Sequence, residues 1–228
     1  MQISAEIRWF WRNSPPPNLE EWFCASSEHT CSAGGGGERV DEYMADCGQT
    51  ELGLKRRGGK GGIEVKGLVA ADWDALNVSP FLGPIELWSK WTCEGLELNS
   101  TTPIKKVRWL RKFSTESLSP EEIPLGESEM PLDKNRALPR TGCNVELTRI
   151  ITGQEVWWTL GFESFGQIQT VSNDLRAVAA TLEARKPPEL GPAGELSSPI
   201  WRGQNGAGLI ASYPVWLREV LWPVRIRV

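Results

Sequence analysis

Two neighbouring stretches decide the fold: Glu51-Leu52-Gly53-Leu54-Lys55-Arg56-Arg57 and, after Gly58-Gly59-Lys60-Gly61-Gly62, Ile63-Glu64-Val65-Lys66-Gly67-Leu68-Val69. Successive side chains on a strand point to opposite faces. Glu51, Lys55 and Arg57 therefore share one face against Leu52 and Leu54, and Glu64 and Lys66 share one against Ile63 and Val65. The glycine-rich link makes the pair a hairpin. A single strand of this kind sits equally well on any solvated surface, but the alternation recurs. Residues 5–10 (AEIRWF) carry Glu6 and Arg8 on one face, residues 104–110 (IKKVRWL) carry Lys106 and Arg108, and VELTRI and GFESF contribute Glu146 and Glu163. Charged faces repeated on so many strands imply a sheet curled around a polar interior.

Other segments fill in the frame. Residues 2–11 read as the first strand, stopped by Ser14-Pro15-Pro16-Pro17, since proline donates nothing to a sheet ladder. NLEEWF (18–23) reads as one or two helical turns and ERVDEYM (38–44) as a short strand. PIELWSKWT alternates as a strand, with Glu86, Trp88, Lys90 and Thr92 on one face. Residues 104–113 fit either a strand, with Lys106, Arg108 and Lys112 opposite Val107, Trp109 and Phe113, or a basic helix. CNVELTRIIT and VWWTLGFESF form a second hairpin around Gly153-Gln154, in which adjacent Trp157 and Trp158 must face opposite ways, core packing being favoured over base stacking for both. Ser172 is the expected N-cap of a helix ended by Pro187-Pro188, and SYPVWLREVL reads as a short amphipathic C-terminal helix. The acid-rich stretch 114–131 reads as a solvated loop. The sum is a mainly β (α+β) fold: an antiparallel, closed or nearly closed β-barrel of about eight strands with peripheral and C-terminal helices. One domain spanning 1–228, with a helical part from about 172, is the simplest division.

Composition narrows the function. The chain of 228 residues has 40% hydrophobic residues and 12 tryptophans, enough for a substantial core, and no apolar run long enough for a membrane helix. The N-terminus lacks the basic and apolar blocks of a secretory signal, so a cytoplasmic location is expected. Five cysteines without paired spacing suggest reduced thiols, and Cys24, His29 and Cys31 make only an ill-spaced metal set. A single histidine leaves carboxylates, lysines or a metal to do any chemistry. The net charge of −4 argues against bulk attraction to nucleic acid, yet residues 104–113 hold five bases and no acid. Burying such faces is expensive without opposite charge, and the fitting guest is a polyanion.

These strands resemble those of the CYTH, or triphosphate tunnel metalloenzyme, superfamily. Its first strand reads ExExK; here Ser4-Ala5-Glu6-Ile7-Arg8 keeps the second Glu, with Ser for the first and Arg for the closing Lys. Lys55 with Arg57, Glu64 with Lys66, Lys106 with Arg108, and the late Glu146 and Glu163 follow the general pattern over roughly residues 2–165. The resemblance implies metal-dependent triphosphate hydrolysis in a charged β-tunnel. Arg8, Lys55, Arg57, Lys66, Lys106 and Arg108 would bind phosphate. Glu6, Glu64, Glu146 and Glu163 would be catalytic, with Mg²⁺ or Mn²⁺ on Glu6, Glu146 and Glu163. The partner would be a small-molecule triphosphate or other polyanion, or the 5′-triphosphate end of a nucleic acid, and not a membrane. Two other readings stand beside it: a non-catalytic polyanion binder in the same barrel, and a surface module docking a basic 104–113 helix on nucleic acid or membrane.

Overall fold

The computed structural model describes residues 1–25, 38–44, 49–58, 61–126, 129–194 and 208–221. Eight strands close a ring: β1 (Gln2–Arg12), β2 (Arg39–Met44), β3 (Leu52–Arg56), β4 (Ile63–Val78), β5 (Phe81–Cys93), β6 (Thr101–Ser114), β8 (Gly142–Thr152) and β9 (Glu155–Phe165). Their order is β1-β5-β4-β3-β2-β6-β8-β9, every neighbour is antiparallel, and β9 returns to β1 over a nine-residue register from Ser4↔Phe165 to Arg12↔Trp157. Closure removes the exposed edges that an open sheet must protect. Three short strands lie outside the ring: β7 (Glu121–Ile123) on β6, β11 (Gly208–Ile210) on β1, and β10 (Ala193–Gly194) on β11.

Both expected hairpins form. The β8–β9 turn has Gly153 at φ +59°, a backbone conformation that favours glycine. Residues 104–113 lie inside β6, paired with β2 and β8 on its two sides, so the docking-helix reading fails on its geometry.

The largest apolar core lies outside the ring. Odd residues of β1 (Ala5, Ile7, Trp9, Trp11), with Ile85, Leu87, Val145, Leu147, Leu160 and Phe162, are covered by α1 (Leu19–Ala25) and α2 (Val171–Glu183). On α2, Leu175, Val178 and Leu182 recur at helical spacing and are fully buried, each contributing about 1.5–3 kcal/mol. With the apolar faces engaged outward, the even face of β1 and its counterparts are left to line the interior.

One end of the interior is stoppered. Helix α3 (Tyr213–Trp216) and the π-helical turn Leu217–Leu221 pack Trp216 and Leu217 against Phe10, Tyr43, Ile104, Ile150 and Trp157. The expected short amphipathic C-terminal helix therefore serves as an apolar plug. Trp157 joins it from inside the barrel, and Trp158 stacks on Trp109 in the outer core, as their opposite facing requires.

Three local expectations need correction. The N-cap of α2 is Thr170, and Ser172 is buried within the first turn; Pro187-Pro188 follows the helix end as expected. The acid-rich stretch is not simply solvated, because Glu122 pairs with Arg111 and Arg185 and Glu129 enters the cavity. Cys24 is disulfide-bonded, which overturns the reduced-thiol expectation for that residue, while Cys93 and Cys143 are free thiols. His29, Cys31, Cys47 and the glycine run 34–37 lie outside the described residues. Among the described residues no helix is long and apolar enough to cross a membrane.

Candidate functional site: a charged cavity inside the barrel

All ten charged residues singled out from the sequence line one cavity of about 510 Å³: Glu6, Arg8, Lys55, Arg57, Glu64, Lys66, Lys106, Arg108, Glu146 and Glu163. Strand parity accounts for this. Arg8 and Glu6 lie on the inward face of β1, Lys106 and Arg108 on that of β6, and Glu146 and Glu163 on those of β8 and β9. Glu51, from the stretch that suggested the barrel, is exposed and does not line the cavity.

Arg39, Lys90, Lys112 and Glu129 add further charge to the lining, and Tyr43 and Tyr213 add phenols. Lys90 and Lys112 were legible, since they share the inward faces of strands already read as alternating. Arg39 and Tyr43 alternate along ERVDEYM in the same way. Glu129 comes from a loop and Tyr213 from the plug, where no periodicity marks them.

The charges are arranged in pairs. Glu146 receives Arg8 at 2.8 Å and Arg108 at 3.2 Å, and Arg108 also grips Glu129, which Arg57 approaches at 3.6 Å. Burial alone would raise the Glu146 carboxyl, but Arg8 and Arg108 outweigh it and hold the group well below the usual range. Glu6 accepts bonds from Lys66 and from the Ser4 hydroxyl, the latter at 2.7 Å. Against the opposing effect of burial, Lys66 and Lys90 bring Glu6 down to about 2. Burial pushes the Lys66 ammonium down, with Glu6 opposing and Lys90 adding to it. In this pair the carboxylate stays ionised, because it faces two ammonium groups. Lys90 pairs with Glu163, and Lys55 with Glu64 at 2.9 Å. Near the plug, Asp41 is fully buried beside Arg39 at 3.1 Å and Lys106 at 3.7 Å.

Among the described residues nine basic side chains and five carboxylates line the cavity, and Asp41, buried against Arg39 and Lys106, makes a sixth, which leaves a surplus of three positive charges inside a chain whose net charge is −4. The carboxylates are taken up by those bases. Among the described residues no three His, Cys, Asp or Glu side chains gather in a metal-holding group, and Glu6, Glu146 and Glu163 each bond to lysine or arginine instead. As placed, the donor set does not fit a divalent ion, and Ser4, two residues before Glu6 on the same strand face, adds a hydroxyl that donates to Glu6 and no further carboxylate.

The fold and the cavity define a closed eight-stranded antiparallel barrel with a plugged end and a cationic, carboxylate-studded interior. No family model matches the chain, and no curated protein does.

Proposed function

We propose that the barrel binds a compact polyanion, a triphosphate chain or a group of similar charge density, in its interior. The observation that carries this reading is the surplus of basic side chains in and against one cavity, nine against six carboxylates with Asp41 included, among the described residues. Ion pairs confined with excess positive charge are incomplete as a charge set, and an entering anion compensates the surplus. Arginine meets phosphate oxygens with a bidentate fork and lysine as a point charge, and the lining holds both. The cavity volume falls within the ordinary range for small-molecule sites.

Calorimetry with tripolyphosphate at physiological salt, in chelator and then in Mg²⁺, tests the reading, with a nucleoside triphosphate and a 5′-triphosphate oligonucleotide as further ligands. Saturable one-to-one binding that persists in chelator is expected. Absence of binding and of any thermal stabilisation for every ligand, with or without metal, overturns it.

A second reading, metal-dependent triphosphate hydrolysis, draws on one observation. Glu6 and Glu163 stand directly opposite each other on β1 and β9, both facing the cavity. A phosphate chain that drew Lys66 and Lys90 away would leave these two carboxylates side by side. Phosphate release that requires Mg²⁺ or Mn²⁺ and is lost in Glu163→Gln supports hydrolysis; binding without release under any divalent ion leaves the protein a binder.

A further inference from the structure

Among the described residues five lysines line the cavity, and four of them are held at 2.9 Å or closer by a carboxylate or amide oxygen: Lys55 by Glu64, Lys66 by Glu6, Lys90 by Glu163 and Lys112 by the Asn144 amide. Lys106 differs. Among the described residues its only carboxylate within 4 Å is Asp41, at 3.7 Å, and its hydrogen bond goes to the Tyr43 phenol oxygen at 2.6 Å. Its Nζ lies 3.8 Å from the centroid of the Tyr213 ring and 4.9 Å from that of Tyr43. Like charges stand close by: Arg39 is its cross-strand partner on β2, and Lys55 lies opposite Tyr43 on β3.

We propose that Lys106 is a nucleophilic amine that captures a phosphorylated aldehyde or ketone as an imine, the phosphate being held by the surrounding arginines and Lys55. This rests on the polyanion reading and gives that ligand a chemical class. The reaction balances within the site. The amine lone pair attacks the carbonyl carbon, a C–N bond forms, and a proton passes from nitrogen to the former carbonyl oxygen. That hydroxyl takes a second proton from Tyr43 Oη and leaves as water, the iminium nitrogen returns its own proton to the resulting phenolate, and the imine remains. Tyr43 Oη, already at hydrogen-bond distance from the nitrogen, is placed to donate to the departing hydroxyl, and burial keeps it a phenol by raising its proton affinity. Burial also drives the Lys106 ammonium well below its ordinary range, Lys55 adding to the effect and Asp41 and Glu146 opposing it, so that a free amine is accessible. No oxidant or reductant takes part.

The test incubates the full chain with pyridoxal 5′-phosphate, or with pyridoxal as the control lacking phosphate, followed by borohydride reduction and peptide mass mapping. The expected result is one reduced adduct per chain, on Lys106, formed with the phosphorylated probe at concentrations where pyridoxal leaves it unmodified, and blocked by excess tripolyphosphate. Lys106→Arg and Lys106→Met should both lose it, and whichever variant keeps the wild-type melting profile serves as the control. Adducts spread over surface lysines, placed on another cavity lysine, or indifferent to tripolyphosphate overturn the proposal. If tripolyphosphate binds by calorimetry and Lys106 stays unmodified, the imine inference alone fails; if tripolyphosphate does not bind, the polyanion reading fails first.

Discussion

Gly161 of β9 lies directly opposite Arg8 of β1, and the guanidinium covers it so closely that a Cβ at position 161 would stand 2.5 Å from Arg8 Cζ. The glycine is the floor on which the arginine rests. Its neighbour is the far end of a flexible side chain, so Gly161→Ala displaces Arg8 without forcing the strands apart. The variant is expected to fold at a cost of about 1–3 kcal/mol, below that of deleting a partner of the buried pair, because Arg108 still holds Glu146. Its affinity for tripolyphosphate should drop toward that of Arg8→Ala, because the Arg8–Glu146 pair at 2.8 Å is broken. Unfolding curves beside calorimetry check it; unchanged affinity would remove Arg8 from the binding set.

Glu146 is predicted to set stability and affinity against each other. It joins Arg8 and Arg108 inside the barrel, and removing one partner of a buried pair costs about 3–5 kcal/mol. Glu146→Gln should fall at or below the low end of that range, since Arg108 keeps Glu129 and Arg8 keeps the Thr159 hydroxyl at 3.2 Å. The same change takes a negative charge from the cavity wall. Polyanion affinity should therefore rise, on the order of tenfold for about 1.4 kcal/mol. A variant that lost both stability and affinity would mean that Glu146 positions the arginines for the ligand rather than competing with it.

Acid should unfold the protein earlier than its composition suggests. Glu6 is held at about 2, Glu146 well below its ordinary value, and Glu64 and Asp41 below theirs. In the unfolded chain such groups protonate near pH 4, so between about pH 5 and pH 2 the unfolded state binds more protons and folding free energy is lost. The stabilisation is complete above pH 5. Urea midpoints measured from pH 7 to pH 3 should be flat and then fall, and Glu6→Gln should be less stable at pH 7 with a shallower acid limb. A midpoint that does not change between pH 5 and pH 3 would contradict the ion pairing described.

The interior was readable because it depends on parity alone. Once Glu6, Arg8, Lys106 and Arg108 alternate with apolar neighbours, the only open question is which face turns inward. The answer lies in α2, whose Leu175, Val178 and Leu182 cover the apolar face of β1, an interaction across more than 160 positions that no local pattern encodes. The same limit hid Glu129 and Tyr213, which reach the cavity from a loop and from the C-terminal plug. Lys90 and Lys112 belong to the opposite case, since their strands carried the signal. Ser172 was misread as a cap because a serine before an apolar periodic run satisfies the local rule, although Thr170 occupies the boundary in space. The alternation along the strands located where the charges converge, and the pairing of Glu6, Glu146 and Glu163 with lysine or arginine could be seen only with the strands in register.

The plug should bear much of the stability at its end of the barrel. Trp216 is completely buried, stacked on Phe10 at 5.1 Å between ring centroids and edge-on to Trp157 at 5.7 Å. An amphipathic helix lying on the surface would lose little on truncation of one tryptophan. A plug loses the packing of the whole end. Trp216→Ala is expected to cost about 3–5 kcal/mol, which for a chain of this size lowers the melting temperature by roughly 6–20 °C. Trp73→Ala, at a position 43% exposed on β4, should stay within about 0.5 kcal/mol. The loss should also reach the anion site, because Tyr213 lies under both Arg8 and Lys106 and packs edge-on to Trp216 at 6.0 Å. Tripolyphosphate affinity measured well below the variant's melting temperature should therefore fall for Trp216→Ala and remain at the wild-type value for Trp73→Ala. Equal affinities in the two variants would mean that the plug stabilises the barrel without shaping its cavity.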